Sequence, residues 1–72
     1  MTGTLRKNRL GRWEVVGGHR GDYIVELQSG SVIQAFVQGR WLTTRIEHDG
    51  GDYYTVERGV RLEYGLAVRT MQ

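Results

Sequence analysis

At 72 residues the chain has room for one domain, and a domain of that size buries only about 60% of its unfolded surface. It has no cysteine, which excludes disulfides and thiolate metal sites, and no run approaches the roughly 18 apolar residues of a membrane span. The net charge of +2 is unevenly placed: Arg6, Lys7, Arg9 and Arg12 come with no acid before Trp13, and from Trp13 onward six arginines face eight carboxylates.

This imbalance predicts a basic, flexible N-terminal arm over residues 1–10 and a mildly acidic domain over residues 11–72. Met1 to Leu10 lacks the apolar run of a signal peptide. A soluble, cytoplasmic protein is the expectation.

The domain reads as all-β. Eleven glycines divide the chain, and the longest stretch between them, Arg40 to Asp49, carries the β-branched Thr43, Thr44 and Ile46. The first strand is predicted over Arg12 to Val16, ended by Gly17-Gly18, with Trp13 as a core or lid residue. The second runs from Asp22 to Gln28 and turns at Ser29-Gly30-Ser31. The third is Val32 to Gln38 and the fourth Trp41 to His48, joined at Gly39-Arg40. Asp49-Gly50-Gly51-Asp52 forms a hairpin tip before a fifth strand, Tyr53 to Glu57. A tight turn around Val60 and Leu62 leads to a last short strand, Leu66 to Thr70.

Alternation selects the core. Leu42, Thr44 and Ile46 point one way on the fourth strand, while Trp41, Thr43, Arg45 and Glu47 point the other. An odd hairpin loop turns Tyr54 and Val56 inward; a two-residue Gly50-Gly51 turn turns Tyr53 and Thr55 inward instead, and the residues alone leave both registers open. Val25, Leu27, Ile33, Ala35, Leu42, Ile46, Val56 and Val68 are the expected core, with Tyr23 and Tyr64 half-buried in the sheet.

Several segments carry a wider pattern: Gly11-Arg12-Trp13, Ser29-Gly30-Ser31-Val32, Ala35-Phe36-Val37, Gly39-Arg40-Trp41-Leu42 continuing through Arg45-Ile46-Glu47, Asp52-Tyr53-Tyr54, and the closing Gly65 to Arg69. Together they resemble SH3-like and Tudor-like small barrels. They also resemble a family of small, uncharacterised bacterial and mobile-element proteins. The resemblance implies a five- to six-stranded SH3-like barrel and assigns no activity. A methyl-lysine cage needs three or four converging aromatics, and only Trp41 and the Tyr53-Tyr54 pair are available for one.

No catalytic constellation stands out. Ser29 and Ser31 belong to a glycine turn, His19 and His48 lack zinc-ligand spacing, and Gly17-Gly18-His19-Arg20-Gly21 precedes a strand where a phosphate loop would precede a helix. Glu47 and Glu57 form a carboxylate pair only if a cleft perturbs them, and a domain this small has little room for one. The expectation is a non-enzymatic binding module without cofactor or metal. Trp41, Arg45 and Tyr53 are the candidate partner-binding residues, since Trp, Tyr and Arg dominate interface hot spots. The partner is then a protein, and on the mobile-element analogy the chain is an accessory or inhibitory factor. Two alternatives are nucleic-acid binding through Arg6, Lys7, Arg9 and Arg12 with exposed aromatics, and a structural homodimer paired through an edge strand or the Trp41 face.

Overall fold

The computed structural model describes residues 2–70; Met1, in the expected arm, and Met71 and Gln72, in the expected domain, lie outside the described residues, as does the side chain of His19. Seven strands form: β1 (Thr2–Lys7), β2 (Trp13–Gly17), β3 (Tyr23–Glu26), β4 (Val32–Val37), β5 (Arg40–His48), β6 (Tyr53–Thr55) and β7 (Ala67–Thr70). The helical element among the described residues is one 3-10 turn at His19–Gly21.

All strand pairings are antiparallel, in the order β3-β2-β1-β7-β4-β5-β6. The topology is two three-stranded meanders, β1-β2-β3 and β4-β5-β6, joined by β7. That last strand enters between β1 and β4 and pairs with both. The class is all-β as expected, but the strand number and closure are not. Among the described residues there are seven strands instead of five or six, in an open sheet whose ends, β3 and β6, do not pair.

The extra strand is the segment expected to be a flexible arm. Thr2, Thr4 and Arg6 face one side of β1, and Leu5 faces the other at 1% exposure. The backbone of Leu5 is fixed as well: its N–H donates to the Leu66 carbonyl (3.0 Å) and its carbonyl accepts from the Gly65 N–H (2.9 Å). A single large apolar side chain suffices here because β1 is flanked on both sides, by β2 along Gly3–Lys7 and by β7 along Thr2–Thr4, and pairs its backbone with both. Gly3 is needed for the close approach, since a Cβ at that position would fall on the Val16 carbonyl.

One face of the sheet wraps around a single core of Leu5, Trp13, Val15, Leu27, Ile33, Ala35, Ile46, Val60 and Val68. Five of the eight expected core residues, Leu27, Ile33, Ala35, Ile46 and Val68, are buried there, and Leu42 packs partly buried against them. Val25 is half-buried on the edge strand β3, and Val56 is exposed. The Val56 error follows from register. His48 pairs with Tyr53, which leaves an even, four-residue loop, and Ile46 then faces Thr55. Of the two registers open in the sequence, the one with Tyr53 and Thr55 inward is adopted. Asp49 fixes the loop, its Oδ1 accepting from the Gly51 and Asp52 amides, both at 2.8 Å. Those bonds favour its ionised form, and with the Asp52 bond foremost they hold its carboxyl below the ordinary aspartate value. Tyr23 and Tyr64, expected half-buried, are exposed.

Candidate binding face

The side of the sheet turned away from the core presents the candidate site. Its centre is the β4–β5 hairpin, closed by the Val37–Arg40 pair around Gln38-Gly39. Both loop residues have positive φ (51° and 83°), the geometry of a type I′ turn, whose twist matches that of the strands. The turn sets Phe36 directly opposite Trp41. Both side chains point outward, because their neighbours Ala35 and Leu42 point in. The rings meet edge to face with centroids 5.1 Å apart, a favoured aromatic geometry.

β7 brings a third member. Arg69 lies opposite Gln34 on β4, and its guanidinium sits 4.2 Å from the centroid of the Trp41 ring. Arg69 Nε donates to Gln34 Oε1 at 2.6 Å, and Gln34 Nε2 donates to Thr43 Oγ1 at 3.1 Å. The result is a chain of fixed side chains across three strands. Phe36 remains 43% exposed and Trp41 is half-buried, so the cluster is solvent-facing and held in one arrangement.

The predicted partner-binding residues divide between the two faces. Trp41 and Arg45 share the outer face of β5, where Arg45 Nε donates to Glu47 Oε1 at 3.1 Å. Tyr53 does not join them. It packs partly buried against the core and edge-on to His48, centroids 4.5 Å apart. Tyr54 takes the outward position, opposite Glu47. Phe36, Arg69 and Gln34 are the residues that sequence reading missed. For Phe36 a signal existed, since a two-residue Gln38-Gly39 turn places it across from Trp41. For Arg69 none did, because its neighbours depend on β7 lying beside β4.

The four basic residues before Trp13 sit in and around the β1–β2 hairpin, and three are engaged by carboxylates. Arg6 pairs with Glu14 at 2.6 Å, Arg12 with Glu26 at 3.1 Å, and Lys7 lies 3.6 Å from Asp52 and 5.3 Å from the Trp13 ring centroid. Arg9 is exposed and makes no ion pair with a described residue. Asn8 ties the hairpin together. Its Oδ1 accepts from the Leu10 and Arg12 amides, and its Nδ2 donates to Glu14 and Glu26. The hydrogen bond from Arg6 holds the buried Glu14 carboxyl below the ordinary glutamate value, with Asn8 adding to the effect and burial opposing it. The hydrogen bond to Glu26 raises Arg12 in the same way.

The remaining candidates serve local structure. Ser31 Oγ accepts from the Gln28 amide in its turn. His48 Nδ1 accepts from the Gly50 amide. The Glu57 amide donates to Thr44 Oγ1, which accounts for that buried hydroxyl. Among the described residues no helix is long and apolar enough to cross a membrane.

No curated protein and no solved structure matches the chain. Residues 3–70, from the second residue of β1 to the end of β7, match one family, and the chain therefore belongs to the family described as a domain of unknown function, DUF5348.

Proposed function

We propose that the protein is a non-catalytic binding module that docks a protein partner on the outer face of β4, β5 and β7. One observation carries this reading: the solvent-facing Phe36–Trp41 pair is covered on Trp41 by Arg69, whose guanidinium is held by Gln34. Aromatic and arginine side chains fixed before binding lose little conformational entropy on association, which is the property of interface anchors. Of the residues expected to bind, Trp41 and Arg45 stay in this proposal, and Phe36 and Arg69 take the place of Tyr53.

The SH3-like kinship read from the motifs implies five or six strands in a closed barrel. A seven-stranded open sheet departs from that, so the proposal rests on the face alone. An accessory or inhibitory role for a mobile element, in the cytoplasm, is the biological setting that the bacterial resemblance adds. Nucleic-acid binding through the N-terminal segment is less well supported, since Arg6, Lys7 and Arg12 are already neutralised by Glu14, Asp52 and Glu26. A homodimer through this face is a possible outcome of the test.

A photoreactive phenylalanine analogue at position 36, expressed in the native host, tests the reading. The expected result is a covalent adduct with a protein other than the chain itself. It should disappear with Trp41→Ala and be absent when the probe sits at Leu10, on the β1–β2 hairpin. No protein adduct from position 36, or an adduct only with nucleic acid, overturns the docking proposal. A self-adduct replaces it with the homodimer.

A further inference from the structure

The chemistry of the face also points to what it binds, on the premise that it is a docking surface. On the outward positions of β4, β5 and β7 there are two arginines, Arg45 and Arg69, and one carboxylate, Glu47. Glu47 is held by Arg45. Arg69 has no carboxylate partner among the described residues. Its Nε is taken by Gln34 and its plane lies over Trp41, so its orientation is set from two directions. The outer donors of its planar fork have no hydrogen-bond partner among the described residues. Phe36, whose ring meets the same Trp41 ring, is 43% exposed.

We infer that Arg69 is the receptor for a carboxylate of an acidic protein segment, with the residue next to that carboxylate packing on Phe36 and Trp41. The fork of a guanidinium matches a carboxylate in two parallel hydrogen bonds. Positioning by Trp41 and Gln34 removes most of the entropy otherwise lost in fixing the arginine. Charge complementarity favours this ligand over a nucleic-acid strand. A single strand brings a phosphate with every nucleotide and calls for a line of cations with open aromatic faces. Here one guanidinium is without a carboxylate among the described residues, and it already covers a face of the Trp41 ring.

Selection of a random-peptide phage library on the immobilised full chain tests the inference, with an oligothymidylate as a second probe. Enriched peptides are expected to share an Asp or Glu beside an apolar residue. Replacing that acid by its amide, or Arg69→Lys in the protein, should weaken binding by about tenfold or more, because lysine cannot reproduce the two-point contact. Gln34→Ala leaves the guanidinium but frees it, and should weaken binding while thermal melting stays near that of the parent. It carries the test if Arg69→Lys fails to fold. Enriched peptides without a shared acid, or binding indifferent to Arg69→Lys, overturn the carboxylate inference. If Trp41→Ala and Phe36→Ala still abolish that binding, the docking proposal survives. If they do not, it falls as well. A library that yields no binder, or tight, salt-sensitive binding of the oligothymidylate, overturns both.

Discussion

Replacing Leu5 by alanine should destabilise the protein severely, although this residue lies in a segment whose sequence reads as a solvated tail. Leu5 is 1% exposed and projects from a strand flanked by β2 and β7. Large-to-small substitutions at such sites cost about 2–5 kcal/mol, through lost burial and the cavity left behind. Total stability for a chain of this length is roughly 4–11 kcal/mol, so this one change removes a large share of it. With a urea slope of about 1 kcal/mol/M, typical of the smallest domains, the unfolding midpoint should fall by about 2 M or more without a change in slope. Fluorescence of the buried Trp13 reports the transition. Deleting residues 1–8 is more drastic. It removes β1, leaves β7 paired only with β4, and separates the β2–β3 hairpin from the rest of the sheet. The truncated chain should show no cooperative unfolding. An unchanged midpoint for Leu5→Ala, or a cooperative truncated chain with strand-type circular dichroism, would refute the placement of β1.

Other expectations follow from local geometry. Gln38 holds a positive φ that side chains rarely adopt, so Gln38→Asn, which tolerates it, should stabilise by roughly 0.5 kcal/mol, a fraction of the left-handed penalty of about 1–2 kcal/mol; a lowered midpoint would contradict the turn geometry. Gly3→Ala should destabilise strongly, because the new Cβ meets the Val16 backbone and not a movable side chain; thermal melting checks it. The Glu14 carboxyl sits below its ordinary value in the folded protein, so the unfolded chain takes up its proton first as pH falls. The stability that Glu14 contributes is therefore full above the ordinary carboxylate range and lost as pH drops through the depressed value. Melting temperatures from pH 7 to pH 3 should fall less steeply for Glu14→Gln than for the parent, and parallel curves would remove the ion pair with Arg6 as the cause.

Local signals in the sequence mark most of the second meander. Glycine turns, β-branched residues and alternation along Trp41 to His48 place β4 and β5 and assign their inner and outer faces. Trp41 and Arg45 are outward for the reason the pattern suggests. The failures are non-local. Thr2 to Lys7 does alternate, but one leucine among cations does not show that two strands will flank it. The four positive charges look free along the chain, and only the placement of β2, β3 and the β5–β6 hairpin brings Glu14, Glu26 and Asp52 to three of them. Tyr53 turned inward because Asp49 stabilises an even loop, a choice that rests on two hydrogen bonds. Arg69 reaches Trp41 only because the last strand enters between the first and fourth, and nothing in residues 67–70 encodes that neighbour.

The central claim is that the Phe36–Trp41–Arg69 face carries binding. Its most direct test is the affinity and stability of Trp41→Ala, measured against the partner trapped through position 36. Alongside it runs a variant with Arg6, Lys7, Arg9 and Arg12 neutralised and its folding checked. The account predicts that Trp41→Ala loses at least about 2 kcal/mol of binding, as interface anchors do, while its urea midpoint stays close to that of the parent. A Trp41→Ala protein that folds and binds normally, while the neutralised variant folds but no longer binds, would contradict it and move the function to the β1–β2 hairpin.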